Sequence, residues 1–407
     1  MVLYCIADRS PDDSVVAWYY RARLHLVDLF GHILNSALTL TVNRPIMTNR
    51  RKTEIANWAA TTLASYLSSP SLVLDLNIVS GDASFRRYFR ATVNGESYIV
   101  VDAPPENENS HAFVEVAQLF RAAGVTVPQV ISVDYENGFM LLDDFGDELY
   151  LGELLRCQQS PGSHSNDQVD SLYLSAIKAL IKLQSNVKTK ILDPYSQENL
   201  YKEMVLFEEW FCGAFLSMPL SVRERELIAA TLRFLEGEAL AQPIVAVHRD
   251  YHSRNLMILD PEKFGEGSSP GIIDFQDAVA GPYTYDLVSL LRDCYIQWSP
   301  AQVTTWALQY LSMAKQNGII ADIDKAIFIR HFDMMGLQRH LKVIGIFSRL
   351  YIRDKKPRYL ADIPLVIAYF LEVGSKYGEL AEFIDWFRQD LLPVAGKQLG
   401  LDSLCEQ

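Results

Sequence analysis

Basic side chains are scarce in this sequence: 37 lysines and arginines stand against 50 aspartates and glutamates, a formal charge of −13. So negative a surface excludes a general nucleic-acid or anionic-membrane binder, which needs basic groups to displace counterions. Any anionic ligand must be held by a few placed cations or by a metal. Cysteine is sparse as well. The five, Cys5, Cys157, Cys212, Cys294 and Cys405, form neither a C-x-x-C pair nor an even set, which excludes a zinc ribbon and a disulfide scaffold and fits reduced thiols in a cytoplasm. No G-x-x-x-x-G-K-[ST] occurs, so a phosphate-binding loop of that kind is absent. Long apolar runs are missing too. In the first 46 residues the longest stretch free of Asp, Glu, Lys and Arg is Leu29 to Asn43, 15 residues, too short to span a bilayer.

What remains is an ordinary globular composition, 49% hydrophobic and 21% charged over 407 residues, enough for two or three compact units. Residues 1–46 carry no motif and read as an N-terminal extension. Met47, followed by Thr48-Asn49-Arg50-Arg51-Lys52, resembles the start of the working protein. Glu54 to Leu67 has helical spacing of its apolar residues. Leu74–Ser80, Phe85–Val93 and Ser97–Asp102 read as strands, with a hairpin at Asn94-Gly95. A helix over His111–Ala123 closes at Gly124, and strands follow at Val130–Asp134 and Phe139–Leu142. Beyond Asp144 the pattern turns helical around 169–186, 198–216, 222–241 and most of 284–393, interrupted by a β-rich island from Val245 to Phe275 that reads as a central hairpin. This order predicts an α+β, bilobal, protein-kinase-like fold, with a small antiparallel-sheet lobe (47–144, ending in a hinge) and a larger helical lobe (145–407).

The densest chemical signal is His248-Arg249-Asp250-Tyr251-His252-Ser253-Arg254-Asn255, with Ile272-Ile273-Asp274-Phe275 following. It matches the H-R-D-x-x-x-x-N catalytic loop of kinases. Phosphoryl transfer explains the spacing: one carboxylate accepts the hydroxyl proton, while an amide oxygen and a second carboxylate reach Mg²⁺ on the phosphates. Asp250 is assigned as base, with Asn255 and Asp274 as metal ligands. Taken singly, Asp250 or Asn255 would be only a turn residue; the ordered constellation carries the assignment. His248 and His252 lack an intervening Glu and read as loop residues, His248 as a packed brace of the catalytic loop.

These segments, with Gln276-Asp277 and Gly281-Pro282-Tyr283-Thr284-Tyr285-Asp286-Leu287-Val288-Ser289-Leu290-Leu291-Arg292-Asp293, resemble the aminoglycoside phosphotransferase-like kinases. Gly81-Asp82-Ala83-Ser84-Phe85-Arg86-Arg87-Tyr88-Phe89-Arg90 and Val101-Asp102-Ala103-Pro104-Pro105-Glu106 are similar to the branch of anomeric sugar kinases. The likeness covers about Thr53 to Leu399. It implies ATP and Mg²⁺, and transfer to the C1 hydroxyl of N-acetylmuramate or N-acetylglucosamine for cell-wall recycling. It further implies a cytoplasmic enzyme with a small sugar acceptor and no nucleic-acid, membrane or obligate protein partner. Other alcohols on the same fold, such as an aminoglycoside or choline, and a catalytically silent nucleotide-binding protein are the alternatives.

One departure from the kinase plan is legible: no lysine stands between Lys52 and Lys178, so the third strand lacks the usual phosphate-binding Lys, and Asp102 falls about where it is expected. Arg86 and Arg90, on one strand face, are the candidate replacements, with Arg87 on the other face. Gly81 and Ser84 are candidates for the loop over the phosphates, Glu115 for the helix carboxylate that pairs with the phosphate cation, and Leu142 for the adenine-facing strand. Asp277 and Arg292 are weaker candidates for acceptor contact. Gly267-Ser268-Ser269-Pro270-Gly271 fits G-x-S-x-G but lies in a polar turn, the wrong context for a nucleophile. The aromatics at Phe207, Trp210, Phe211 and Phe215 have helical spacing and read as core.

Overall fold

A computed structural model describes residues 49–81, 85–160 and 162–399; residues 1–46 and Ser84 lie outside them. Helix α1 (Asn49–Tyr66) precedes a five-stranded antiparallel sheet of β1 (Asn77–Gly81), β2 (Arg87–Val93), β3 (Glu96–Asp102), β4 (Val130–Asp134) and β5 (Phe139–Asp143), in the order β1-β2-β3-β5-β4. Helix α2 (Ser110–Ala122) joins β3 to β4. The β2–β3 hairpin turns at Asn94 and Gly95, both at positive φ (54° and 86°), the conformation that makes Asn-Gly the favoured pair there.

Strand alternation gives the sheet two buried faces. On one, Phe89, Ala91, Val100 and Leu141 pack under Ile55, Ala59 and Leu63 of α1. On the other, Val101, Met140 and Leu142 join α2 in the core that continues into the helical lobe. Asn109 caps α2 by accepting from the Ala112 N–H at 3.1 Å. From that helix Phe113 and Phe120 meet Phe275 at ring separations of 4.8 and 6.0 Å, so the residue after Asp274 is packed against the small lobe.

The helical lobe contains α3 (Tyr150–Gln159), α4 (Ser163–Asn186), α5 (Gln197–Leu206), α6 (Val222–Leu240), α7 (Pro261–Phe264), α8 (Tyr285–Leu291), α9 (Pro300–Gln316), α10 (Lys325–Ile352), α11 (Ile363–Gly374), α12 (Ala381–Trp386) and α13 (Leu392–Gln398). The aromatics after α5 form a π-helical turn (Phe207–Phe215) in which Phe207 and Phe211 are fully buried, the core role expected of them. Gly345 of α10 lies where a Cβ would stand 2.4 Å from the Leu206 carbonyl carbon. That close approach brings Lys342, one turn earlier, within reach of Glu203 on α5. Among the described residues no helix is long and apolar enough to cross a membrane.

The central β-island differs from expectation. Instead of one hairpin there are two short sheets: β6 (Ile244–Val247) pairs with β9 (Val279–Pro282), and β7 (Leu256–Met257) with β8 (Gly271–Ile272). The chain breaks between them at Arg249 and Asp274, which hold left-handed φ values of 78° and 63°. Such values in non-glycine residues mark sites where the surroundings over-determine the backbone.

Candidate active site

Backbone strain places the catalytic loop between β6 and β7, and long-range hydrogen bonds hold it there. The Asp286 carboxylate, fully buried on α8, accepts the backbone N–H groups of His248 (2.7 Å) and Arg249 (3.0 Å). Burial pushes its carboxyl up to about 7, against those two bonds. Asp293, also buried, accepts from the Ser253 N–H (2.9 Å) and hydroxyl and from the Tyr295 N–H (3.0 Å). The carbonyl of Arg249 accepts from Arg339 at 3.0 Å. Its side chain pairs with Glu203, which also takes Lys342 (3.0 Å) and the Tyr195 hydroxyl.

His248 is fully buried, and its Nδ1 accepts from the Asp250 N–H at 3.2 Å. Nε2 therefore carries the proton and donates to the Ile273 carbonyl at 3.0 Å. This ties the loop to the segment before Asp274, the bracing role expected of His248. Burial lowers its pKa to about 4. Unfolded, the ring takes a proton below about pH 6.5; folded, it does not until about pH 4. Its stabilising contribution is therefore complete above the unfolded value and lost as pH falls through that window. Against a His248→Gln variant, the gap in melting temperature should be widest above pH 6.5 and narrow towards pH 4. A gap independent of pH would contradict the neutral, buried ring. Asp286 titrates with the opposite sign in both proteins and drops out of the difference.

Asp250 is half-buried. Burial would raise its carboxyl pKa, but Lys342, His252, Arg339 and Arg249 outweigh that and hold it below the ordinary carboxylate range. Although its main chain is bonded on both sides, its side-chain oxygens accept no hydrogen bond from the described residues. Asn255 turns its Nδ2 to the Asp250 carbonyl (2.9 Å) and towards Asp274 Oδ2 (3.5 Å), which leaves its amide oxygen as a donor for a metal. Gln276 Nε2 steadies Asp274 Oδ1 at 2.8 Å. One carboxylate and one amide oxygen are a hard donor pair that suits Mg²⁺, whose remaining ligands are waters and phosphate oxygens. Among the described residues no cluster of three His, Cys, Asp or Glu competes as a metal cage.

The small lobe departs further from expectation. Arg86 is buried, paired with Glu108 (3.0 Å) just before α2 and 5.8 Å from the Phe113 ring centre. Glu115, expected to be the helix carboxylate, is exposed, and the carboxylate paired with Arg86 is that of Glu108. Arg90 is occupied by Asp144 (3.0 Å), Asp147 (2.8 Å) and the Gly146 carbonyl. With its fork filled it braces the hinge after β5 rather than reaching the cleft. Asp102 lies on the α1 face, fully buried and bonded by Arg51 (2.7 Å) and Arg87, so it does not occupy the cleft position of the missing Lys. Arg87 does face away from Arg86 and Arg90 and pairs with the buried Asp102. Gly81 ends β1 opposite Arg87, and Leu142 is buried on β5. Asp277 is exposed, whereas Arg292 pairs with Asp333 at 2.5 Å.

Comparison with known proteins agrees with this geometry. Residues 75–319 match the phosphotransferase enzyme family. An N-acetylmuramate/N-acetylglucosamine kinase of Pseudomonas putida is 42% identical over 75% of this chain and 86% of its own length. A protein of the same name from Neisseria meningitidis is 39% identical over 82% of this chain and 93% of its own. Choline kinase LicA of Streptococcus pneumoniae shares the fold, with a TM-score of 0.51, 11% identity, and coverage of 79% of this chain and 100% of that one. The chain thus belongs to the phosphotransferase enzyme family and is an ATP-dependent kinase.

Proposed function

We propose that the enzyme transfers the γ-phosphoryl group of ATP to the anomeric (C1) hydroxyl of N-acetylmuramate or N-acetylglucosamine, giving the sugar 1-phosphate for salvage into peptidoglycan precursors. The acceptor class is supported by the names of relatives covering most of the chain. The chemistry is supported above all by one observation: Asp250 is kept ionised by neighbouring cations, while its side-chain oxygens stay free of bonds to the described residues.

In this reading Asp250 takes the proton of the sugar hydroxyl as its oxygen forms a bond to the γ-phosphorus and the bond to ADP breaks. Asn255 and Asp274 hold Mg²⁺, which supplies charge to the phosphate oxygens. The segment 47–144 takes the nucleotide, with Gly81 and Ser84 in the loop over the phosphates, Leu142 beside the base and Arg86 as the small-lobe cation for the phosphates. Residues from 145 onward carry the acceptor. A cytoplasmic site of action fits the need for ATP.

The position of transfer is tested on the product. With N-acetylglucosamine and Mg-ATP, proton NMR should show the anomeric proton coupled to phosphorus and the reducing end lost. A product that keeps its reducing end and carries phosphate on C3, C4 or C6 would refute the anomeric assignment.

A further inference from the structure

Cations crowd the catalytic loop, and nearly all are committed. Arg249 and Lys342 share Glu203. Arg292 has Asp333. Arg339 donates to the Arg249 carbonyl and to Ser289 Oγ. Arg254 differs. It stands one residue before Asn255 and four after Asp250, half-buried, with its guanidinium carbon 3.5 Å from the centre of the Tyr295 ring. Among the described residues it has no carboxylate within ion-pair distance and makes no hydrogen bond.

Its position is fixed by design of the loop rather than by a counter-ion. The buried Asp293 carboxylate holds the residue before Arg254, through the N–H and hydroxyl of Ser253, and the residue that supplies its platform, through the N–H of Tyr295. Those bonds occupy Asp293, which leaves the arginine's charge unanswered. The His252 ring meets Tyr295 edge-on at 5.2 Å and closes the other side. A guanidinium laid on an aromatic face keeps its N–H groups around the rim, in the fork geometry that matches a carboxylate. In a chain of net charge −13, an unpaired, pre-oriented cation on the loop that carries the base is a binding feature.

We propose that Arg254, held on Tyr295, receives the carboxylate of an acidic acceptor and so favours N-acetylmuramate, whose lactyl group carries one, over N-acetylglucosamine, which has none. This inference rests on the amino-sugar reading above. The γ-phosphate of ATP is the other anion near the loop, but the side chains diverge. Asn255 turns towards Asp274 and the β7–β8 sheet, while Arg254 turns towards Tyr295 and, behind it, Phe347 of α10. The arginine thus belongs to the acceptor side.

Steady-state kinetics of the full chain with each sugar, at saturating Mg-ATP, test this with Arg254→Ala and Arg254→Lys. Arg254→Ala should raise KM for N-acetylmuramate about 10- to 100-fold, the worth of a charge-assisted pair, with kcat little changed. KM for N-acetylglucosamine and for ATP should stay at the unsubstituted values, which also shows that the variant is folded. Arg254→Lys should recover part of the loss. An equal loss on both sugars, a raised KM for ATP, or an unchanged KM for N-acetylmuramate would overturn the carboxylate site alone. Absence of turnover on both sugars by the unsubstituted chain would overturn the amino-sugar reading, and this one with it.

Discussion

Replacing Asp250 by Asn is expected to lower turnover about 10²- to 10⁴-fold, the usual worth of a positioned base, while ATP binding stays near normal. The separation is sharp because of how the loop is held. Everything that fixes Asp250 in place acts on its main chain: its N–H donates to His248 and its carbonyl accepts from Asn255. The side chain makes no bond that the amide would lose, so the substitution keeps size and loop geometry and removes only proton acceptance. Lys342, Arg339 and Arg249 would then surround a neutral group, which leaves a local excess of positive charge and, if anything, favours anionic nucleotide. Equilibrium binding of an ATP analogue beside single-turnover transfer separates the two effects. Unchanged transfer at saturating substrates would remove Asp250 from its role.

Asp274→Ala should damage Mg-ATP handling itself. The lost carboxylate is one of two protein donors proposed for the ion, so the Mg²⁺ concentration needed for half-maximal activity should rise steeply. Turnover should fall on the order of 10²-fold or more, reflecting the several kcal/mol that a metal contributes to charge stabilisation. Gln276 would lose its partner as well, because its Nε2 donates to Asp274 Oδ1. Asp274→Asn, which retains one oxygen ligand, should fall between the two. A normal Mg²⁺ dependence in Asp274→Ala would place the metal elsewhere.

Much of this was legible in the sequence because the determining patterns are local. The hairpin at Asn94-Gly95, the apolar spacing of α1 and α2, and the alternation in β2, β3 and β5 each act within a few residues, and the structure has them within a few positions of the expected bounds. The catalytic loop was legible for the same reason: Asp250 and Asn255 belong to one turn. Long-range partners were not. Glu203, Lys342 and Arg339 reach the loop from helices far away in sequence, and nothing in their local pattern marks them. Asp286 and Asp293 lay inside the segment that carried the family resemblance, but their hold on the backbone N–H groups of the catalytic loop is a long-range contact that the local pattern does not show.

The errors share one physical cause. Alternation states that a strand has two faces but not which one meets the cleft, and Asp102 lies under α1 with Arg51 and Arg87 rather than at the expected position of the phosphate-binding Lys. Helical periodicity likewise says nothing of the residues that lead into α2, and Glu108 from that lead-in rather than Glu115 of the helix sits beside Arg86. Pairing of β6 with β9 across the whole catalytic segment is a non-local choice, made possible by the left-handed breaks at Arg249 and Asp274.

The central claim, an ATP-dependent kinase for N-acetylated amino sugars, is tested most directly by ADP release from the unsubstituted chain with Mg-ATP. The panel is N-acetylmuramate, N-acetylglucosamine, choline, ethanolamine and an aminoglycoside, each at the same concentration. The account predicts turnover on at least one of the two amino sugars, with phosphate recovered on that sugar, and at most background on the other three. Turnover on choline, ethanolamine or the aminoglycoside with none on either amino sugar would contradict it.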